Sequence, residues 1–135
     1  MLPIKSIMTT QVIYVHPETP IFDALGLLTK HRISGLPVVD QDMRIKGILS
    51  EKDVLRILLD KKLDGKKLVE DYMTRDVICF SEDTRATDIC KFFMKNYIRR
   101  VPVCKQGKLI GIVSRRDIVE LILEAKSKIS DFRYG

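Results

Sequence analysis

Two copies of one short motif carry the residue types best suited to hold a ligand. The pattern Gly-x-x-Ser-x-x-Asp occurs at residues 47–53 and again at residues 111–117. In each copy the serine, Ser50 or Ser114, stands where a β-rich run gives way to a helical pattern. The free amides of such a helix start suit a phosphate oxygen. A carboxylate one turn further on, Asp53 or Asp117, is placed to accept both hydrogens of a vicinal diol.

The same residues also suit a purely structural role. Ser50 and Ser114 are good N-cap residues, and Asp53 and Asp117 fall at the N3 position of a capping box. An acid at that position also interacts favourably with the helix dipole. Each motif taken alone favours capping over ligand binding, because capping motifs are common. The matched duplication favours a ligand as well, since both uses of these atoms are compatible.

The elements that must position the two motifs are themselves duplicated. Residues 2–41 and 67–106 share their pattern at a constant offset of 65, and after a one-residue deletion the motifs follow at an offset of 64. A repeat of this length predicts a supersecondary unit that buries its apolar face against its twin. A cleft between two such units would be a place where small molecules bind. The charged linker at residues 60–66 is too short to separate independent domains, so we expect one body.

Each copy reads as strand, helix, strand, strand, helix, which predicts a mixed α/β (α+β) fold. The predicted strands are the β-rich runs at residues 11–15, 36–39, 45–49, 77–80, 101–104 and 108–113. Thr19 is predicted to cap the first helix, with Pro20 at its first position and Gly35 at its end. Thr84 is predicted to cap the corresponding helix of the second copy.

Size and composition set broad limits on the function. The chain has 135 residues, of which 45% are hydrophobic and 31% charged, as in an ordinary globular domain. No apolar run approaches the roughly 20 residues that a membrane span needs, and the N-terminus lacks a secretory signal. We therefore expect a cytoplasmic protein without membrane contact.

The net charge of +6 is compatible with nucleic acid or anionic ligands. Because no aromatic residues interleave the basic ones, nucleic acid is the less favoured partner.

The cysteines and histidines give little support for catalysis or metal binding. Cys79, Cys90 and Cys104 include no C-x-x-C pair and are predicted to be buried thiols in a reducing compartment. His16 and His31 lie in the other copy, so no cysteine has an adjacent base, and the set suits zinc poorly. No phosphate-binding loop or nucleophile–base–acid set is present. We expect neither an enzyme nor a metal site.

Further marks make the pattern specific. Met8-Thr9 and Met73-Thr74 precede the first strand of each copy, and the runs at residues 33–38 and 98–103 precede each hairpin. With these marks and both motif endings, residues 2–125 resemble a tandem pair of CBS (cystathionine β-synthase) domains, known as a Bateman module, in a stand-alone protein. The resemblance implies two β-α-β-β-α repeats, at residues 2–60 and 67–125, packed about a pseudo-twofold axis as one globular module. Residues 126–135 would form a C-terminal tail.

The resemblance also implies a function and a set of site residues. It implies a regulatory module that senses AMP, ADP, ATP or S-adenosylmethionine in clefts between the repeats, without a required cofactor. The signal would be a change of conformation or oligomeric state. Asp53 and Asp117 would hold the ribose, and Ser50 and Ser114 would stand next to the phosphates. The residues implied to line the adenine are Val12, Ile13, Gly35, Leu36, Pro37, Val77, Ile78, Arg100, Val101 and Pro102.

The two implied sites differ in charge. The second repeat carries Arg99 and Arg100 before its hairpin, and Arg115 and Arg116 inside its motif. Guanidinium groups match phosphate geometry better than ammonium groups do. We therefore predict that phosphorylated ligands prefer the Asp117 site, although a solvated helix start explains these arginines equally well.

Partners are only partly predictable. Tandem pairs in this family usually assemble as dimers through their helices, so we expect a homodimer and an unidentified effector protein. A ligand-free dimerisation module and a basic nucleic-acid-binding accessory protein are the alternatives. His31 lies near a helix C-terminus, where its charge suits the helix dipole better than a ligand. Phe132 and Tyr134 lie in the tail without an assigned role.

Overall fold

The computed structural model describes residues 3–134, with side chains as far as residue 126, and confirms the mixed α/β class. The elements, in chain order, are α1 (Ile21–His31), β1 (Leu36–Val39), β2 (Ile45–Leu49), α2 (Glu51–Leu59), β3 (Phe80–Ser81), α3 (Ala86–Lys95), β4 (Arg100–Lys105), β5 (Lys108–Ser114) and α4 (Arg115–Tyr134). None of the described helices combines the length and the apolar character needed to cross a membrane.

Contacts divide the chain into two compact units. The Asp53 unit comprises Ile13–Ile78 and Gln106–Leu109, and the Asp117 unit comprises residues 3–12, 79–105 and 110–134. These units group residues by contact and not by sequence similarity. The repeat boundaries at 2–60 and 67–125 therefore stay a prediction.

The Asp53 unit is built on the antiparallel hairpin of β1 and β2. Leu36 pairs with Leu49 and Val38 with Gly47, and every residue of β1 is buried. The buried residues of α1 recur at helical spacing and therefore form one apolar face. This face packs on the hairpin. The buried core comprises Val15, Ile21, Ala24, Leu28, Leu36, Val38, Leu49, Ile57, Val69 and Met73. The last two residues belong to the start of the second sequence copy, which thus packs with the first hairpin.

In the Asp117 unit, the start of the first sequence copy packs with the hairpin of the second copy. Its sheet has the order β3-β4-β5, with β3 parallel to β4 through the pair Phe80 and Val103. The turn between β4 and β5 consists of Gln106 and Gly107, which group with the Asp53 unit and have positive φ angles of 54° and 79°, as tight hairpin turns require. The buried core comprises Ile4, Ile89, Phe93, Val101, Val103 and Val113. Ile4, from the start of the first copy, therefore packs with the second hairpin.

The predicted first strand of each copy was wrong in extent. Residues 11–15 form no strand, and only Val15 makes an isolated parallel bridge, to Val38. In the second copy the strand is reduced to β3, Phe80–Ser81. A β-rich composition did not produce a ladder at most of these residues because a strand forms only where a neighbouring backbone supplies partners.

The predicted caps of the first helices were also wrong. The cap residue of α1 is Pro20, and the Thr19 hydroxyl instead accepts a hydrogen bond from the His16 amide at 2.9 Å. Helix α3 is capped by Arg85 without a side-chain hydrogen bond. At the end of α1, Arg32 and not Gly35 adopts the left-handed conformation, with φ of 52°. Gly35 has another role, because a Cβ there would lie 2.9 Å from the Leu49 carbonyl oxygen.

The cysteine prediction needs one correction. Cys79 and Cys104 form a disulfide, with Cα atoms 5.8 Å apart, and are not free thiols. The cause is the parallel pairing of β3 with β4, which sets Ser81 opposite Cys104 and brings the residue before β3 within disulfide range. Cys90, on α3, is a free and partly buried thiol, as expected.

Reduction of this disulfide is expected to lower the free energy of unfolding by about 3 kcal/mol. The bond closes a loop over a sequence separation of 25 residues, and cross-links of that span restrict the unfolded chain by about this amount. Chemical denaturation with and without a reductant measures this difference in the free energy of unfolding. The Cys90→Ser variant should still show the difference, and the Cys79→Ser variant should show none. Identical unfolding curves for the unmodified chain in both conditions would contradict the pairing.

The last helix extends beyond the predicted end of the second repeat. Helix α4 continues to Tyr134, so its backbone includes most of the predicted tail at residues 126–135. The side chains of Phe132 and Tyr134 lie outside the described residues.

Candidate functional site

The first motif forms a complete capping box at the start of α2. The Asp53 amide donates to the Ser50 hydroxyl at 3.3 Å, and the Ser50 amide donates to Asp53 Oδ2 at 2.8 Å. The sequence prediction of a capped helix start after β2 is therefore confirmed. Asp53 is only 1% exposed and is the one fully buried charged residue in the described part of the chain.

The Asp53 carboxylate has further donors around it. The Ser50 hydroxyl donates to Oδ2 at 2.8 Å, and the Thr74 hydroxyl lies 3.1 Å from both oxygens. The Arg56 guanidinium donates to Oδ1 through Nη2. Because a carboxylate offers about four lone-pair positions, these contacts leave little capacity for another donor.

A close backbone approach brings Thr74 to this carboxylate. Thr74 and Ile48 exchange two backbone hydrogen bonds, at 2.8 and 2.9 Å. Gly47 permits the approach, because a Cβ at this position would lie 2.5 Å from the Thr74 carbonyl oxygen and 3.2 Å from the Met73 sulfur. The Tyr72 hydroxyl donates to Asp60 at 2.6 Å, which raises the pKa of Tyr72 to about 12 and holds the same segment against the end of α2.

The same approach occurs in the Asp117 unit. Thr9 and Ile112 exchange backbone hydrogen bonds at 2.8 and 3.0 Å, and a Cβ on Gly111 would lie 2.7 Å from the Met8 sulfur. The Met-Thr pairs and the motif glycines are therefore parts of one packing arrangement. From sequence alone these residues were recognisable as repeated positions, but their packing against each other was not. Each sequence copy carries one Met-Thr pair and one motif glycine, and this shared recurrence is the signal that could have revealed the packing.

The second motif has the same cap but a more open carboxylate. The Ser114 amide and hydroxyl donate to Asp117 Oδ2 at 2.7 and 3.0 Å, and the Asp117 amide donates to the Ser114 hydroxyl at 3.2 Å. Within the described residues, no group donates a hydrogen bond to Oδ1. Asp117 is partly exposed, in contrast to Asp53.

Arg100 provides a cation near this second motif. Its Nε is buried and has no hydrogen-bond partner among the described residues. Burial lowers the pKa of the Arg100 guanidinium, and the negative charge of Asp117 acts in the opposite direction. A buried donor without a partner is costly, so an anionic group accepting from it would be stabilised there.

The other arginines of the second motif are placed differently. Arg115 donates through Nε to the Ile98 carbonyl at 3.1 Å and through Nη2 to the Phe93 and Asn96 carbonyls. It thus satisfies carbonyl groups at the end of α3. Arg116 is exposed and pairs with Glu120 at 3.6 Å. The Arg99 carbonyl accepts from the Arg115 amide at 2.9 Å. Their roles toward phosphate stay predictions.

The predicted adenine-lining residues are divided between the two units. Ile13, Gly35, Leu36, Pro37, Val77 and Ile78 belong to the Asp53 unit, whereas Val12, Arg100, Val101 and Pro102 belong to the Asp117 unit. The structure brings Gly35 next to the first motif, since a Cβ there would lie 3.6 Å from the Ser50 Cα. Val101 and Pro102 are buried, whereas Ile78 is 58% exposed. Contact of these residues with adenine stays a prediction.

Across the described residues, the histidines, cysteines and acids form no cluster of three or more that would hold a metal ion. His16 Nδ1 lies 2.8 Å from the Val39 carbonyl oxygen, and His31 is the exposed last residue of α1. What the motifs do offer is two capped helix starts with a carboxylate each, and one of these has an available oxygen and a neighbouring cation. This arrangement is suited to binding a phosphorylated diol.

Comparison with known proteins identifies the family. The CBS domain family model matches residues 4–60 and 69–124. The chain therefore belongs to the CBS domain family, and it carries the domain twice.

Relatives with curated sequences vary in length and role. An uncharacterized 17.7 kDa protein of Acidianus ambivalens is 36% identical over 122 residues, which are 90% of this chain and 73% of that protein. An uncharacterized protein of Methanocaldococcus jannaschii is 32% identical over 120 residues, 89% of this chain and 42% of its own length. Inosine-5'-monophosphate dehydrogenase of the same organism is 34% identical over 115 residues, 84% of this chain. The chain spans only 22% of that enzyme.

Solved structures of CBS proteins share the fold. CBSX2 in complex with AMP superposes with a TM-score of 0.85 at 31% identity, covering 93% of this chain and 99% of that one. The CBS domain pair of protein MJ0100, in complex with 5'-methylthioadenosine and S-adenosyl-L-methionine, has a TM-score of 0.80 at 31% identity. That superposition covers 92% of this chain and 98% of the MJ0100 domain pair.

Proposed function

We propose that this chain is a regulatory module, and not an enzyme, that binds an adenosine-containing ligand at Asp117. AMP, ADP and ATP are the leading candidates, and S-adenosylmethionine is the next. No cofactor is required for this role. The complexes of CBSX2 with AMP and of the MJ0100 domain pair with S-adenosyl-L-methionine support the ligand class.

The observation that carries the proposal is the available oxygen of Asp117. Oδ2 is fixed by the Ser114 cap, which leaves Oδ1 to accept from ribose hydroxyls. A hydrogen bond to a charged acceptor contributes about 1.5–3 kcal/mol. The buried and unpartnered Nε of Arg100 supplies a donor for phosphate. Phosphorylated ligands are therefore expected at Asp117 in preference to Asp53.

Signalling would follow from a difference in ligand affinity between two arrangements of the protein. We propose that the signal is transmitted through a homodimer or to an effector protein, and that the protein is located in the cytoplasm. Exposed apolar side chains support association: Leu55, Leu58 and Leu59 on α2, and Val119, Ile122 and Leu123 on α4. The same side chains favour a ligand-free dimerisation module as the second candidate.

Disulfides are uncommon in the cytoplasm, so the redox state of Cys79 in cells tests the location.

A thermal-shift panel tests the proposal. AMP, ADP, ATP and S-adenosylmethionine are compared with GTP and with unphosphorylated adenosine at fixed salt. A ligand at about 100 times its dissociation constant should stabilise the protein by about 2.7 kcal/mol. We expect an adenine-selective shift that is larger for AMP than for adenosine. The absence of a shift with every ligand would favour the dimerisation module, and RNA binding that falls steeply with salt would indicate a nucleic-acid partner.

A further inference from the structure

The two motif carboxylates differ in how many of their positions are occupied. Asp53 accepts on both oxygens, from the Ser50 cap, from the Thr74 hydroxyl and from Arg56. Among the residues that the structure describes, Asp117 accepts only from the Ser114 cap, and only on Oδ2. The two copies share the Gly-x-x-Ser-x-x-Asp pattern, so residues outside this pattern cause the difference.

One charged position separates the two helices. Arg56 lies three residues after Asp53 on α2, on the same face of the helix. The equivalent residue on α4 is Glu120, three residues after Asp117 and 64 positions after Arg56. Glu120 pairs with Arg116 at 3.6 Å and offers no hydrogen-bond donor to Asp117. At this helix position the first repeat thus carries a cation that pairs with its carboxylate, and the second repeat carries an acid.

Thr74 restricts the access of a ligand hydroxyl to the Asp53 carboxylate less than Arg56 does. Its hydroxyl is a single donor shared between both oxygens of Asp53. A hydroxyl rotates freely and also accepts hydrogen bonds, so it can adapt to a ligand hydroxyl. Arg56 differs because it carries a full charge and has no acceptor group. A ribose hydroxyl that donates to Asp53 Oδ1 must therefore displace the guanidinium.

We propose that Arg56 is a specificity-determining latch that occupies Asp53 and withholds it from adenosine-containing ligands. The inference rests on the proposed function, because it names the residue that makes the two motifs unequal. The latch is reversible, since the Arg56 side chain is 58% exposed and its other contact is a 3.4 Å hydrogen bond to the Tyr72 carbonyl. The Asp117 site is occupied first, and the Asp53 site is occupied only at higher ligand concentration.

Calorimetric titration of AMP into Arg56→Met tests the latch. Methionine keeps an unbranched side chain of similar reach and removes the donor and the charge. Lys61→Met is the matched control, because Lys61 is an exposed cation just beyond α2. In an Asp117→Asn background, Arg56→Met should strengthen AMP binding by about tenfold or more, a factor that corresponds to about 1.4 kcal/mol. Lys61→Met should leave the affinity unchanged.

The reciprocal variant installs the latch in the second repeat. Glu120→Arg places a guanidinium three residues after Asp117 and should weaken AMP binding there by about tenfold. Glu120→Gln is its control, because it removes the same acidic charge without adding a cation. A larger loss with arginine than with glutamine supports the latch, and equal losses would contradict it.

The outcomes separate the latch from the proposed function. AMP binding through Asp117 in the unmodified chain, with no gain from Arg56→Met, would overturn the latch and leave the proposed function standing. Binding that appears only in Arg56→Met and depends on Asp53 would support the latch and remove Asp117 as the ligand site. Two equivalent AMP molecules per unmodified chain would show that Asp53 is already open, which overturns the latch. No binding by any variant would overturn both.

Discussion

Replacing Asp53 with alanine is expected to lower the free energy of unfolding by about 3 kcal/mol, and replacing Asp117 by about 1 kcal/mol. Both substitutions remove an N3 partner from a capping box, which contributes about 1 kcal/mol. Asp53→Ala also removes the buried charged acceptor of the Ser50 and Thr74 hydroxyls, at a further cost of about 1.5–3 kcal/mol. The partly exposed Asp117 carboxylate has no comparable partners beyond Ser114 in the part of the chain that the structure describes.

Denaturant unfolding of the two variants measures this difference. Asp83→Ala is the control, because the Asp83 side chain is 76% exposed and pairs with Lys5 on the surface at 3.6 Å. Such a change is expected to stay within about 0.5 kcal/mol. Equal losses for Asp53→Ala and Asp117→Ala would show that the donors around Asp53 do not stabilise the fold. The order of stability effects should be the reverse of the order of effects on AMP binding.

The second large effect is expected at Gly47. A Cβ there meets the Thr74 carbonyl oxygen at 2.5 Å, and backbone atoms cannot move aside without breaking the paired hydrogen bonds to Ile48. Gly47→Ala should therefore cost about 1–3 kcal/mol, the usual penalty of overpacking. Gly111→Ala should cost less, because its nearest contact is the flexible tip of Met8 at 2.7 Å.

Gly26→Ala is the matched control for this series. Gly26 lies within α1, and a Cβ there would have no neighbour within 4 Å. Alanine at a helix interior is favoured over glycine by about 0.5–1 kcal/mol, so this variant should be more stable than the parent. Thermal or denaturant unfolding gives the order Gly26→Ala, parent, Gly111→Ala, Gly47→Ala. A Gly47→Ala variant as stable as the parent would contradict the close approach of Thr74.

The hairpins and the motif caps were predictable from sequence because local chemistry determines them. The strands Leu36–Val39 and Ile45–Leu49 have the predicted bounds, and Ser50 and Ser114 cap the helices that follow. The first strand of each copy was not predictable in the same way. Those residues depend on a partner strand remote in sequence, and only Val15 finds one in the first copy.

The candidate site was predictable in its acids but not in their surroundings. Asp53 and Asp117 follow from motif spacing, yet the contact with Thr74 spans 21 residues and depends on the fit at Gly47. The Arg115 guanidinium contacts carbonyls of residues 93–98, a position that only the path of the chain after α3 determines, and its predicted contact with phosphate stays a prediction. Arg56 lies at a helical i, i+3 spacing from Asp53, so sequence reasoning could have found that pair.

The central claim is that Asp117, and not Asp53, is the main site for an adenosine-containing ligand. Titration of AMP into the parent chain, Asp117→Asn and Asp53→Asn tests it most directly. We expect saturable binding by the parent and a loss of about tenfold to a hundredfold in Asp117→Asn, corresponding to about 1.4–2.8 kcal/mol. Asp53→Asn should leave the high-affinity binding nearly unchanged. Equal losses in both variants, or no AMP binding by the parent chain, would contradict the claim.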